Sequence, residues 1–244
     1  MMKKWGIAIL LIGLTFSSCR SNDDDNDLPQ DEQNQVDDDA IAEFLDDHYF
    51  DPERGLIKKF DSEDASDDNY PTLKSLGVKL PSGVWVVKRP EVEAEGPSIA
   101  DNLSDSILIS FNSTRFKASY EDLIPGQKPY EKYTGLFFNT IYSTGTASWD
   151  PIFYYYNIGE SVNSNIDLSY YVMEGFVEGL KHFKSTQTNG ADIYNFQGAI
   201  IVPSRVAYGR DFVYLNGILD NMTYRDNSFI FNFELHKVLP RNTN

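Results

Sequence analysis

Three short runs in the last third of the chain carry aromatic and apolar side chains that could line one pocket. They are YVMEGFVEGL (171–180), AIIVPSRVAYG (199–209) and SFIFNFEL (228–235). A dry aromatic pocket with a few hydrogen-bond donors suits rotation about an X-Pro bond, which meets a barrier of about 18–20 kcal/mol. Such a pocket needs no nucleophile or metal, because it favours the less polar, twisted amide over the planar one.

The order of these runs resembles the FKBP family of peptidyl-prolyl isomerases. In that family a Gly-bounded helix forms the pocket floor, a strand ending in Pro leads to an Ala-Tyr-Gly corner, and an aromatic strand closes the sheet. The resemblance implies an α+β fold, with a twisted antiparallel sheet wrapped around a short helix that starts near Val172. It also implies isomerase (rotamase) activity on proline-containing polypeptides, without a cofactor or metal.

The resemblance assigns site residues by position. The catalytic positions correspond to Tyr208, Phe176, Phe231 and Asp150. The substrate-binding positions correspond to Val172, Met173, Phe111, Tyr154, Ile218 and Leu219. In this assignment the Met173 N–H and the Tyr208 hydroxyl face the bound peptide, and Tyr154 is a pocket wall just before a turn at Gly159. The chain departs from the family pattern at Phe111, where Tyr is usual, and in the flap loop, which lacks Ile-Pro-Pro.

Other chemistries receive less support from the sequence. The three histidines, His48, His182 and His236, are not paired at the spacing of metal ligands. A Ser-His-Asp arrangement stays open, although no Gly-x-Ser-x-Gly motif is present.

Two further functions remain as alternatives to catalysis. One is a non-catalytic FKBP-like module that holds an extended proline-containing segment. The other is a surface protein that stacks sugar rings on exposed aromatic side chains, for which the candidates are Phe137, Phe138, Tyr142, Trp149 and Tyr154–Tyr156. Alternation along a β-rich segment predicts that most of these rings pack in the core.

The beginning of the chain predicts export. Lys3 and Lys4 precede an apolar run over 5–16, two serines and Cys19, as expected of a signal peptide over 1–18. The run is shorter than the roughly 20 residues that a membrane span needs. Cys19 is the only cysteine, and it lies where bacterial lipoproteins carry an acylated thiol. We therefore expect a lipid-anchored protein of the cell envelope, at the outer membrane.

An acidic segment follows Cys19. No Lys or Arg occurs over 21–53, and the predicted tether over 19–38 is expected to be extended and disordered because it repels itself. Acidic residues after an acylated Cys also resemble the surface-export signal of Bacteroidetes lipoproteins. Loss of the two signal-peptide lysines takes the net charge from −16 to −18, which disfavours nucleic acid as a partner.

The remaining elements follow from local patterns. Asp39 is the expected N-cap of a short helix, within an N-terminal helical segment and loop over 39–79. The FKBP-like domain is predicted over 80–240, with insertions. Its first strand is expected within 80–87, its second over 105–111, and another at Tyr154–Tyr156.

Overall fold

The computed structural model describes residues 27–92, 94–101, 103–141, 145–157, 168–190, 194–215 and 217–241. The predicted signal peptide, Cys19, the first part of the tether and Gly159 lie outside these residues. The helices are α1 (Gln30–Asp47), α2 (Leu73–Leu76) and α3 (Glu174–Leu180), with 3-10 turns at Leu168–Tyr170 and Ser204–Val206. The strands are β1 (His48–Phe50), β2 (Ile57–Lys59), β3 (Gly77–Lys79), β4 (Trp85–Lys88), β5 (Asp105–Lys117), β6 (Tyr133–Asn139), β7 (Ser148–Trp149), β8 (Gly198–Val202) and β9 (Asn227–Pro240).

The fold is α+β, as predicted. Seven strands form one antiparallel sheet in the order β3-β4-β8-β9-β5-β6, and β7 pairs with β5. The long strands β5 and β9 pair along almost their whole lengths at the centre of this sheet. Strands β1 and β2 form a separate antiparallel pair.

The two central strands alternate between two apolar cores. One face presents Phe229, Phe231 and Phe233 of β9 to the core that contains α3. The opposite face presents Phe116 of β5 and Ile230 of β9 to a second core that contains α1. A period of two along each strand therefore places a helix against each face of the sheet.

Glycine explains how closely α3 approaches the sheet. A Cβ atom added at Gly175 would lie 2.5 Å from Val202, and one added at Gly179 would lie 2.6 Å from Ile200. Both contacts are shorter than packed atoms allow, so the two glycines permit α3 to lie directly on β8. This helix is the predicted Gly-bounded helix, and it begins at Glu174, two residues after Val172.

The helix α1 corrects the prediction for the acidic segment. It begins at Gln30 rather than after Asp39, so residues 30–38 are helical and not an extended tether. Gln33 and Asp37 are buried on the same face as Ile41. The hydrophobic pattern did not predict helix over residues 30–38 because two of the buried positions there are polar. The domain boundary at residue 80 stays a prediction, although α1 and β3 belong to the core and sheet described above.

Asp37 joins α1 to the corner that follows β8. Its carboxylate accepts hydrogen bonds from the Ser204 hydroxyl, from the Ser204 N–H at 3.2 Å and from the Gln33 side chain at 2.9 Å. Burial raises the pKa of Asp37 to about 6, although these donors act in the opposite direction. Beside it, Asp38 accepts from Arg205 at 2.9 Å and pairs with Lys79 at 3.0 Å.

We expect this docking to weaken as the pH rises. A carboxyl group whose pKa is raised in the folded state stabilises it below the unfolded pKa of 3.8, and this stabilisation is lost as the pH passes about 6. Asp37→Asn should remove a decline of about 3 kcal/mol in the free energy of unfolding across that window, measured by urea denaturation at a series of pH values. Asp39→Asn, on the exposed face of α1, should leave the decline in place.

Candidate functional site

Seven of the ten predicted pocket residues belong to the core that contains α3, and three of these seven join one cluster of rings around Phe153. The centroids of Phe176 and Phe231 are 4.5 Å apart, and each lies 5.0 Å from Phe153. Phe111 meets the same Phe153 ring at 5.2 Å in an edge-to-face contact. Tyr208 is linked less directly, through Phe137 at 6.5 Å.

The interior of this cluster is filled by the chain itself. Phe176 and Phe231 have no exposed surface, and Phe153 is only 1% exposed. Phe153 contacts both the floor ring Phe176 and the closing ring Phe231, and these two also contact each other, so the three rings form a packed triangle. The rings therefore converge as predicted, but their contacts leave no room for a prolyl ring between them.

The two donors expected to face a peptide bind carbonyl groups of the same chain. The Met173 N–H donates to the Phe153 carbonyl at 2.8 Å. The Tyr208 hydroxyl donates to the Tyr171 carbonyl at 2.8 Å, and burial raises the pKa of Tyr208 well above its ordinary value. Each bond helps to fix the turn before α3, so both groups have a structural use here.

Tyr154 does not form part of the ring cluster. Its hydroxyl donates to the Asp105 carbonyl at 3.0 Å, and its neighbour Phe153 takes the place expected of a pocket wall. The predicted strand at Tyr154–Tyr156 is also wrong, because residues 152–154 form a turn. A turn shifts which neighbouring side chain points inward, and the sequence pattern gave no sign of that shift.

Asp150 lies in an ion pair and not among the rings. Its carboxylate binds Arg241 at 2.6 Å, and also accepts from the Ile107 N–H and the Ser106 hydroxyl, each at 2.9 Å. Its φ of +42° places it at a tight turn after β7. These contacts join β5 to the residue that follows β9, which is a structural role.

The remaining predicted contacts divide between core and surface. Val172 is buried beside α3. Ile218 and Leu219 are exposed at 69% and 46%, on a loop beyond the Tyr208 corner.

An open cavity lies next to the closed cluster. It has a volume of about 360 Å³, near the lower end of the usual range for ligand pockets. Aromatic walls come from Phe111, Phe138 and Phe153. The other lining residues, several of which carry hydrogen-bonding groups, are Asn139, Thr140, Thr146, Ala147, Ser148, Pro151 and Ile152. Of the predicted substrate-binding residues, only Phe111 lines it.

The cavity is positioned by the edge of the sheet. The Phe111 N–H donates to the Thr140 hydroxyl at 2.9 Å, and the Thr140 N–H donates to the Phe111 carbonyl at 2.9 Å. These bonds hold the end of β6 against β5. On the other side, Ser148 of β7 pairs with Ile109. Sequence reasoning missed this site, although Phe138 carried an aromatic signal.

The aromatic residues considered for sugar binding mostly lie in or against the core, with Phe138, Tyr155 and Tyr156 half-buried against it. Phe137 and Tyr154 pack in the core, whereas Trp149 is 49% exposed. Tyr142 lies outside the described residues. One exposed ring does not form a stacking platform, so core packing accounts for most of this aromatic segment.

A second group of residues has the order of a hydrolytic triad. The Ser110 hydroxyl and the Nε2 atom of His236 are 2.8 Å apart, and the Nδ1 atom lies 3.3 Å from the Glu234 carboxylate. All three are buried on the α1 side of the sheet. Ser110 lies in mid-strand opposite Glu234, and the open cavity described above does not reach it. The geometry is that of a buried polar network.

Within the described ranges, no three acidic, histidine or cysteine side chains are grouped as metal ligands would be. Over the same ranges, none of the helices combines the length and apolar character that crossing a bilayer requires.

Comparison with known proteins gives weak similarities only. No family model matches the chain, and no curated protein matches it. Among solved structures, FkpA from Escherichia coli is similar with a TM-score of 0.36 and 16% identity, over 87% of this chain and 65% of that one. A peptidyl-prolyl cis-trans isomerase from Pseudomonas syringae pv. tomato str. DC3000 has a TM-score of 0.36 and 12% identity, over 87% and 98%.

The chain thus spans about two thirds of the length of the E. coli protein. The Pseudomonas protein is named as a peptidyl-prolyl isomerase, but TM-scores this low carry no argument about activity. The function has to be inferred from the site itself.

Proposed function

We propose that this protein is an envelope lipoprotein, anchored through Cys19, that binds proline-containing segments of exported polypeptides without accelerating X-Pro rotation. The observation that carries the proposal is the filled ring cluster. Phe153, Phe176 and Phe231 are buried in mutual contact, and both expected donors are engaged within the chain. A site that cannot admit the prolyl ring cannot stabilise its twisted amide.

Binding is assigned to the open cavity beside this cluster. The face of a prolyl ring packs well on aromatic side chains, and the half-buried Phe138 supplies an accessible one, backed by the buried Phe111 and Phe153. Hydrogen-bonding residues at the rim, such as Asn139 and Ser148, suit the carbonyl and N–H groups of an extended peptide. The combination of apolar walls and few polar groups is typical of a pocket that fixes one short segment.

The test compares binding with catalysis on the same peptides. Titration calorimetry should detect saturable binding of a short X-Pro peptide and weaker binding of its X-Ala counterpart. Phe138→Ala should lower the affinity about tenfold or more, because a buried aromatic contact contributes on the order of 1.4 kcal/mol or more. Phe60→Ala is the matched control. Phe60 is a half-buried phenylalanine just after β2 and does not line the cavity, so this variant should bind the peptide normally.

A protease-coupled isomerisation assay tests the catalytic part. The wild-type protein and Tyr208→Phe should both leave the rotation rate at its spontaneous value. If the wild type accelerated the rotation and Tyr208→Phe abolished this effect, the result would favour the isomerase function over binding alone. Absence of peptide binding by the wild type would remove the binding function.

The anchor is tested separately. Metabolic labelling with a radioactive fatty acid should mark the wild-type protein, and Cys19→Ala should abolish the label. An unlabelled wild-type protein would contradict the anchor while leaving the peptide site untouched.

A further inference from the structure

An exposed apolar hairpin projects from the corner that follows β8. Val213 and Asp220 pair across its base through two backbone hydrogen bonds of 2.8 and 3.1 Å. Gly217, at the tip, has a φ of +77°, and a Cβ atom added there would meet nothing within 4 Å. The tip therefore faces open space, while the first arm is held to the body of the protein by the hydrogen bond from the Tyr214 N–H to the Tyr170 carbonyl at 2.9 Å.

The surface of this hairpin is unusually apolar for an exposed loop. Five large side chains are exposed on it, Phe212, Tyr214, Ile218, Leu219 and Met222, at 38–69%. Asp220 is the only charged residue over 212–222. Its carboxylate accepts from the Met222 and Thr223 N–H groups at 2.9 and 2.7 Å, so the charge is held at the base and not at the tip. Apolar patches of this kind mark interaction sites.

The base of the hairpin binds the residues at which the described chain begins. Arg210, just before the hairpin, donates to the Leu28 carbonyl at 2.6 Å. Arg225, just after it, binds the Asp27 carboxylate at 2.6 Å. Asp27 also pairs with Lys117 of β5 at 3.2 Å. Asp27 and Leu28 are thus bound by residues on both sides of the hairpin base.

The distance to the anchor is short. Asp27 lies eight positions after Cys19, and in any conformation this stretch spans at most about 28 Å. A lipid on Cys19 would therefore keep Asp27, and with it the base of the hairpin, close to the bilayer surface.

We propose that the hairpin over 212–222 inserts its apolar tip into the interfacial layer of the membrane in which Cys19 is anchored, and so fixes the orientation of the domain. This inference rests on the anchor proposed above. The acidic net charge opposes attraction to anionic lipids, so the partner is a neutral, zwitterionic surface entered through apolar contact. The peptide cavity, which is lined by different residues, then stays open to the aqueous side.

The experiment places a fluorophore at the tip of the acylated protein. With Cys19 acylated, Ile218→Cys supplies a single free thiol for an environment-sensitive dye, and the protein is reconstituted in phosphatidylcholine vesicles. Ile124→Cys is the matched control, because Ile124 is 67% exposed and Ile218 is 69% exposed. We expect a blue-shifted emission at 218, and quenching by shallow spin-labelled lipid about threefold or more above that at 124, as for a residue about 5–10 Å deep.

Equal quenching at the two positions would overturn the proposal. A blue shift at 218 that appears only when an X-Pro peptide is added would also overturn it, and would assign the hairpin to the polypeptide partner. Acylation of each sample is verified by mass spectrometry of its N-terminal peptide. A failure of the anchor is therefore distinguished from a failure of the hairpin to enter the bilayer.

Discussion

Phe153→Ala is expected to destabilise the protein by about 3–5 kcal/mol, the range for removal of a buried phenylalanine. Phe153 is 1% exposed and contacts Phe111, Phe176 and Phe231 at centroid distances of 5.0–5.2 Å. Its loss removes the central ring of the larger core. Urea denaturation of the mature chain carrying Cys19→Ser provides the measurement.

Phe212→Ala is the control for this substitution. Phe212 is 48% exposed, so its truncation should change the free energy of unfolding by less than about 0.5 kcal/mol. A loss below about 1 kcal/mol for Phe153→Ala would contradict the filled cluster, because it would mean that the ring is not packed. The same variant tests the explanation for inactivity. If the Phe153→Ala variant accelerates X-Pro rotation while the wild type does not, then Phe153 is the residue that blocks the site.

Glu234→Ala should also cost about 1.5–3 kcal/mol, because it removes a buried carboxylate that accepts several hydrogen bonds. The carboxylate accepts from the Asn195 N–H at 2.7 Å and from the hydroxyls of Thr186 and Thr188 at 2.9 and 3.1 Å, and it lies 3.3 Å from His236. Desolvation raises the pKa of Glu234, but these hydrogen bonds, above all that of His236, give a net lowering. Of these partners, His236 is buried and Thr186 is half-buried, so they would lose an acceptor that water does not readily replace, whereas Thr188 and Asn195 are exposed.

The lowered pKa gives this prediction a dependence on pH. Stabilisation from a carboxylate of this kind is present above its unfolded pKa of 4.5 and is lost as the pH falls through the lower, folded pKa. The difference in unfolding free energy between wild type and Glu234→Ala should therefore shrink in acid. Glu63→Ala, in an exposed loop, should show neither the cost nor the dependence. A pH-independent difference would mean that the carboxylate acts only through packing.

The sequence predicted the sheet better than the site. Alternation of Ile107, Ile109 and Phe111 located part of β5, and the run over 228–235 lies within β9. These patterns are reliable because burial on one face of a sheet imposes a period of two on the side chains. The start of α1 was missed for the converse reason, since Gln33 and Asp37 are buried through hydrogen bonds and carry no apolar signal.

The site depended on contacts that no local pattern contains. Whether the hydroxyl of Tyr208 faces a ligand or the Tyr171 carbonyl is decided by the position of a turn 37 residues away. The exchange of roles between Phe153 and Tyr154 is a shift of one residue within a turn. The sequence could therefore bring Phe111, Phe176 and Phe231 to one core, but it could not show whether that core is open.

The position of β9 has a consequence for how the molecule is assembled. β9 follows the other described strands in the chain and lies between β5, which pairs with it over almost its whole length, and β8, which pairs with residues 229–233. Until residues 227–240 are present, β8 and β5 have no shared neighbour, and both cores lack a wall. A chain that has not yet added this strand cannot close either core, so folding depends on pairings between residues that are far apart in the sequence.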